Sequence, residues 1–126
     1  MAIGHFSSQT GSVGLKGSGK VKPVLGLKLA DGRFAVFGKV VLANTDDGPQ
    51  NGLVQLRFFK SEDGPFSVLD ESFARIAKQG QADRLTLSVQ SKLIVKGIGF
   101  VGIGCATYEG RASNAQLTAI RLDFAM

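Results

Sequence analysis

The chain has 126 residues, of which 44% are apolar, and its 15 Lys and Arg against 10 Asp and Glu give a net charge of +5. A fold of this length buries roughly two-thirds of the surface of its unfolded chain, so we expect one domain spanning residues 1–126. Together with that apolar content, seventeen glycines, only three prolines and nine Phe predict a globular, turn-rich protein and not a disordered or collagen-like chain.

Residues 1–30 form a mildly basic leading segment. It contains four lysines and no acid: Lys16, Lys20, Lys22 and Lys28. Residues 1–20 are expected to be a flexible or edge-strand arm. The segment lacks the apolar run of a secretory signal, and no stretch of the chain reaches about 18 apolar residues. These features predict a soluble protein with no signal peptide in this chain and no membrane span, and they leave the compartment open.

A two-residue periodicity of apolar residues begins near residue 21, where Leu25, Leu27 and Leu29 alternate with Val24, Gly26 and Lys28. Residues 21–29 read as a half-buried strand that ends at an Asp31-Gly32 turn, and a second strand follows at once. In the second strand one face is apolar, with Phe34, Val36, Val40 and Leu42. The loop 44–52 contains Pro49 and two glycines, and a third strand over 54–58 is expected to complete a long-looped hairpin.

The segment 65–80 has two readings. Phe66, Leu69, Phe73, Ile76 and Ala77 recur at helical spacing, and Gly80 fits a helix C-terminus. A strand over 72–78 also fits, with Phe73 and Arg75 on one face and Ala74 and Ile76 on the other. The clearest strand of the chain follows at 85–95.

Residues 92–108 contain a Gly-x-Gly-x-x-Gly pattern at Gly97, Gly99 and Gly102. A nucleotide-binding loop of this type opens a helix, whereas here strand alternation continues to residue 108. The octamer at 96–103 also matches part of the RNA-recognition motif, in which base stacking would fall to Phe100 alone. A central strand, whose glycines allow neighbouring groups to approach closely, is the preferred interpretation.

A last strand is predicted near residues 117–124, after a turn at 109–111. Seven to eight strands with turn signals every 8–14 residues, and with loops too short for crossover helices, predict an all-β fold. We therefore expect an antiparallel β-sandwich or jelly roll.

Three pieces of sequence resemble a group of small uncharacterised bacterial β-sandwich proteins. They are GKVVLANT…PQN…L (38–56), GCATYEG (104–110) and NAQLTAI (114–120). The resemblance implies that such proteins often carry a cysteine at the position of Val54 as well as at that of Cys105. Here Val54 replaces the first, and Cys105 is the only cysteine, so no intrachain disulfide forms. The resemblance also implies that Val54 and Cys105 touch in the core.

Strand two and the glycine-rich strand are apolar on both faces, with Phe37 and Val41 opposite Val36 and Val40 in the first of them. An antiparallel sheet with one wetted face should be polar there. Either the monomer covers these faces, or they are buried in a homo-oligomer, for which a trimer is one arrangement.

The sequence contains no catalytic or metal-binding constellation. His5 is the only histidine and is remote in sequence from Cys105, so a nucleophile pair or a zinc set has no obvious members. Asp46 and Asp47 fit a calcium loop less well than an ordinary turn. We expect no enzyme activity, no cofactor and no resident metal.

The candidate ligand-binding residues lie in the long loop and near a neighbouring turn. They are Asn44, Asp46, Asp47, Gln50, Asn51, Tyr108 and Arg111. Because sheet proteins often present ligand loops at one end, the leading hypothesis is a non-enzymatic oligomeric module that binds or assembles, with glycans as the ligand class. The alternatives are a structural component of a virion or shell, and a single-stranded nucleic-acid binder, for which nucleic acid is the less expected partner.

Overall fold

A computed structural model describes residues 5–9, 11–15, 20–61, 64–107 and 109–122. The described residues form seven strands, and the bounds are β1 His5–Gln9, β2 Ser12–Gly14, β3 Lys22–Asn44, β4 Gln50–Phe59, β5 Phe66–Ile76, β6 Arg84–Ala106 and β7 Gly110–Arg121. All pairs are antiparallel. The sequence prediction of an all-β antiparallel fold is therefore confirmed.

One sheet has the strand order β1-β7-β3-β6-β4-β5, and β2 also pairs with β7. The long strands β3 and β6 pair along almost their whole lengths. The later half of β3 pairs with β7 as well, whereas the later half of β6 pairs with β4. Two groups of strands thus share β3 and β6.

A bulge divides the two halves of β6. Asp31 of β3 lies opposite two residues of β6, since the pairing passes from Ala30 with Ile98 to Gly32 with Val95. Gly97 adopts a φ of 82°, which favours glycine, and its amide donates to Oδ1 of Asp31 at 2.8 Å. A bulge of this kind bends a strand pair.

The predicted Asp31-Gly32 turn is wrong. β3 runs through it without a break, and Asp31 serves the bulge of its partner strand instead of ending its own strand. Aspartate and glycine favour both turns and bulges, so the dipeptide alone does not separate the two.

The predicted long-looped hairpin is also wrong. Both edges of the later half of β3 are occupied, one by β6 and the other by β7. β4 therefore has no free edge of β3 to join, and it pairs with β6 and β5. The 45–49 loop carries the chain from one group of strands to the other.

The segment with two readings is a strand, β5, which lies at the end of the sheet beside β4. It pairs with β4 in a register that places Phe73 opposite Leu53 and Arg75 opposite Asn51. Sheet pairing outweighs the helical spacing of its apolar residues, as tertiary context often does in short segments.

The core lies on one face of the bent sheet. The four apolar residues predicted to share a face in strand two, Phe34, Val36, Val40 and Leu42, are all buried. A Cβ at Gly38 would lie 2.9 Å from Cδ1 of Ile103, and one at Gly52 would lie 2.8 Å from Cδ1 of Leu42. Neither Gly38 and Ile103 nor Gly52 and Leu42 are paired in a ladder, so these contacts are made across the core. The inner faces of the two strand groups therefore pack against each other.

Val54 lies directly opposite Cys105 in the β4–β6 ladder, and both side chains are fully buried. The expected pairing of these two positions in the core is confirmed. Burial also raises the pKa of the Cys105 thiol to about 12, with Arg57 acting weakly in the opposite sense. The thiol is therefore protonated and unreactive at neutral pH.

Candidate functional site

A cleft of about 700 Å³ opens where the 45–49 loop meets the ends of β4, β5 and β6. We call it the loop cleft, and it is lined by Asp46, Pro49, Gln50, Asn51, Gly52, Leu53, Phe73, Arg75, Ala106 and Thr107. It combines apolar side chains with a few polar ones, which is the usual composition of a small-molecule site.

Asn44 fixes the loop that borders this cleft. Its side-chain amide is buried and donates to the carbonyl oxygens of Gly48 at 2.9 Å and Ala77 at 3.0 Å. Its Oδ1 accepts from the amide of Asp46 at 2.8 Å. Because these bonds satisfy most of the hydrogen-bonding capacity of the amide, Asn44 supports the loop and is not itself a ligand contact.

Gln50 anchors the start of β4 in a similar way. Its Oε1 accepts from Oγ1 of Thr107 at 3.0 Å and from the amide of Glu109 at 2.6 Å. Its Nε2 is buried without a hydrogen-bond partner among the described residues. The side chain therefore holds Thr107 and Glu109 against the start of β4 and keeps two donor hydrogens unused.

The outer wall of the loop cleft consists of two cross-strand pairs on one face of the sheet, Phe73 with Leu53 and Arg75 with Asn51. Phe73 is 73% exposed, the largest value among the large apolar side chains in the described part of the chain. Leu53 in turn lies opposite Ala106 of β6. The row therefore runs from an exposed phenyl ring on β5 to a buried methyl group on β6.

The charges that line the loop cleft balance. Asp46 and Arg75 are the charged side chains among its lining residues, one of each sign. The backbone oxygen of Asp46 accepts from the amide of Gln79 at 2.9 Å, so the position of the loop is fixed on that side too. The cleft therefore offers donors and acceptors without a net charge.

The structure separates the predicted site residues. Asp46, Gln50 and Asn51 line the loop cleft, whereas Asp47 is exposed and does not line it. Arg111 lies in β7 opposite Ala43, and its guanidinium donates to the hydroxyl of Ser12 at 3.1 Å. Tyr108 lies outside the described residues.

Phe73 and Arg75 were not among the predicted site residues. The strand reading of 72–78 already places both on one face, opposite Ala74 and Ile76, and the observed burial agrees with that alternation. What the sequence does not give is the register with β4 that brings this face to Asn51 and the loop.

A second groove, of about 640 Å³, lies on the outer face of β3, β6 and β4. We call it the glycine groove. On this face Gly26 lies opposite Gly102, and Gly102 lies opposite Arg57. Phe59 and Phe100 also line it. Because the two paired glycines have no side chains, β3 and β6 expose bare backbone there as a floor, which explains Gly102 of the Gly-x-Gly-x-x-Gly pattern.

Arg57 lies beside this floor. Its guanidinium carbon is 4.0 Å from the ring centroid of Phe66, and its Nε donates to Oε1 of Gln55 at 3.0 Å. A Cβ at Gly104 would lie 3.1 Å from the same carbon, so the glycine makes room for the guanidinium. Desolvation lowers the pKa of Arg57, with no carboxylate contributing to the shift.

The described structure does not have the architecture of an RNA-recognition motif. That domain packs two helices against its sheet, and the described ranges contain strands but no helix. Phe100 is half-buried opposite Phe59, and Val101 and Ile103 of the octamer are core residues.

No helix among the described residues is long and apolar enough to cross a membrane. The same residues contain no group of three or more His, Cys, Asp or Glu side chains that would hold a metal ion.

The sequence matches no family model and no curated protein. Among solved structures, a chain of infectious bursal disease virus Gx strain matches with a TM-score of 0.67 and 8% identity over 96% of this chain. A chain of the Gt strain matches with a TM-score of 0.58 and 11% identity over 94% of this chain. Eiger TNF from S. frugiperda matches with a TM-score of 0.55 and 12% identity over 77% of this chain. The aligned parts make up 33%, 32% and 63% of those chains, so this chain spans about a third of the viral ones. The similarity shows a shared all-β fold.

Proposed function

We propose that this chain is a non-enzymatic jelly-roll module that binds a neutral saccharide in the loop cleft. The jelly-roll assignment is supported by the shared strands β3 and β6, by the bulge at Gly97 and by the contact between Gly38 and Ile103 across the core. The fold similarity to the viral chains and to Eiger TNF supports it further.

The observation that carries the ligand assignment is the exposed Phe73 ring beside a charge-balanced set of polar groups. A saccharide has an apolar face of C–H groups and a rim of hydroxyls. The Phe73 ring suits the former, while Asp46, Asn51 and Arg75 offer acceptors and donors to the latter. A pocket with neither net charge nor a second large aromatic favours a neutral saccharide over a nucleotide or a charged metabolite.

A titration of the ¹⁵N-labelled protein with neutral trisaccharides tests this assignment. With maltotriose, cellotriose and N,N′,N″-triacetylchitotriose as probes, at least one should shift the amide signals of Asn51, Phe73 and Arg75. Phe73→Ala should weaken binding about tenfold, equivalent to ~1.4 kcal/mol of lost contact. The matched control is Phe37→Ala, since Phe37 is also exposed but lies outside the loop cleft. Silence of all three sugars at millimolar concentration would remove the saccharide assignment.

We further propose that the module works as a homo-oligomer. Three large apolar side chains of β3 and β6 stay uncovered in the monomer, since Phe37 is 43%, Ile94 63% and Ile98 54% exposed. Single exposed apolar residues are ordinary, but Ile94 and Ile98 flank the same bulge on one strand. A second copy packed against this bulge would remove both from water.

Light scattering tests the oligomer proposal. We expect the mass of a dimer or trimer for the parent protein and that of a monomer for the Ile94→Lys/Ile98→Lys variant. Phe37→Lys separates the two apolar sites, because it should leave the mass unchanged if the bulge is the contact. A monomeric parent at high micromolar concentration would contradict self-association.

A structural component of a virion or shell is the second candidate. The fold similarity to two infectious bursal disease virus chains favours it. Of the basic leading residues, Lys20, Lys22 and Lys28 are exposed, and Lys16 lies outside the described residues. In the same scattering experiment, particles far larger than a trimer would support this role over a small oligomer.

A further inference from the structure

The glycine groove has an apolar lining and a one-sided charge. Phe59 and Phe100 line it together with residues 23–28 of β3, and its charged lining residues are Lys28 and Arg57. No Asp or Glu belongs to the described lining. The floor of the groove consists of Gly26 and Gly102, so neither the Lys28 nor the Arg57 side chain forms part of it.

Arg57 lies at this groove without an anionic partner. Its contacts are the Gln55 amide and the Phe66 ring, and it forms no ion pair with a carboxylate of the described residues. Glu71 is the acid nearest in this network, but its Oε2 accepts from Nε2 of Gln55 at 3.1 Å and not from Arg57. A half-buried guanidinium normally pairs with a carboxylate or phosphate, so this one has an unused preference for an anion.

The geometry points to a second ligand site here: we propose that the glycine groove binds a monomeric amphiphilic carboxylate, with the apolar body on the Gly26–Gly102 floor and the carboxylate at Arg57. The site lies outside the loop cleft and shares no lining residue with it. It therefore goes beyond the saccharide site and does not depend on it.

The two parts of the ligand are matched by different features of the groove. Nε of Arg57 is engaged with Gln55, which leaves the two terminal nitrogens of the guanidinium for the carboxylate oxygens. The apolar part of the ligand must be flat or chain-like to lie on the floor, because Phe59 and Phe100 line one side of the groove. Lys28, opposite Phe100, adds positive charge without a fixed partner in the groove.

Isothermal titration with decanoate below its micelle concentration tests the proposal, with decyltrimethylammonium and 1-decanol as probes of the opposite and of no charge. We expect decanoate to bind at least tenfold more tightly than either. Arg57→Gln should remove that preference, and Arg57→Lys should keep most of it. Arg84→Gln is the matched control, because Arg84 is an exposed arginine outside the groove.

A blocked floor gives a test that is independent of charge. A Cβ at Gly26 would lie 3.5 Å from the Val101 carbonyl oxygen, an ordinary contact, so Gly26→Leu should fold and fill the groove. It should abolish decanoate binding with an unchanged melting temperature, whereas Phe73→Ala should leave decanoate binding intact. The proposal is overturned if all three decyl probes bind equally, if Arg57→Gln or Gly26→Leu binds decanoate as the parent does, or if the protein binds only vesicles of anionic phospholipid.

Discussion

We expect the Val54→Cys variant to form a disulfide with Cys105 and to unfold about 10 °C above the parent protein, a gain of ~3 kcal/mol. The two residues lie directly opposite each other in the β4–β6 ladder. Their Cα atoms are therefore about 4.5–5.5 Å apart, within the range that a disulfide spans. The bond would close a loop of about 50 residues, for which chain entropy predicts ~4 kcal/mol, less ~1 kcal/mol for the lost valine methyls.

The variant should be oxidised during refolding and not in the native state. Burial raises the pKa of Cys105 to about 12, so the folded protein contains almost no thiolate to start the exchange. Thiol titration in denaturant and melting with and without dithiothreitol report the bond and its effect. Gln55→Cys is the control, because residue 55 lies opposite Gly104 and has no thiol to meet. Two free thiols after oxidative refolding would refute the register.

The resemblance to bacterial β-sandwich proteins and the ladder register lead independently to the same pair of positions. The resemblance implies a cysteine where this chain has Val54, and the register places that residue against Cys105. Membership of that group stays a prediction. If the variant forms the bond, the group's disulfide and this chain's β4–β6 pairing describe one geometry.

Side-chain alternation is a local property, and it predicted the strands and their buried faces well. Phe34, Val36, Val40 and Leu42 share one face in the sequence and are all in the core. Strand ends were predicted poorly, because turn residues also build bulges. Nothing near Asp31 indicates that Gly97, on another strand, takes the positive φ that lets β3 continue.

The residues of the candidate site likewise differ in whether local sequence identifies them. The loop residues Asp46 and Asn51 can be identified from sequence, because a polar stretch with glycines and a proline indicates a surface loop. Phe73 and Arg75 reach the site only through the pairing of β5 with β4. That pairing depends on which edges of the sheet are free, which is a property of the whole fold and not of any segment.

Among the described glycines, Gly110 is expected to be the one whose substitution by alanine destabilises the protein most, with a loss of ~3 kcal/mol and a fall in melting temperature of about 10 °C. Gly110 opens β7 opposite Asn44. A Cβ there would overlap the carbonyl oxygen of Ala43 and lie 2.6 Å from Cγ2 of Thr107. The first neighbour is backbone and the second belongs to a buried side chain, so neither moves without breaking the end of the β3–β7 ladder.

Gly14→Ala is the matched control, because Gly14 also lies in a strand that pairs with β7 and a Cβ there would meet nothing within 4 Å. It should change the stability by less than ~0.5 kcal/mol. The damage from Gly110→Ala should also extend to the loop cleft. The Glu109 amide that Gln50 accepts from is one residue away, and Asn44 lies across the ladder. Amide signals of Asn44 and Gln50 should therefore move in this variant, and a melting temperature equal to that of Gly14→Ala would show that the close packing of β7 on β3 is incorrect.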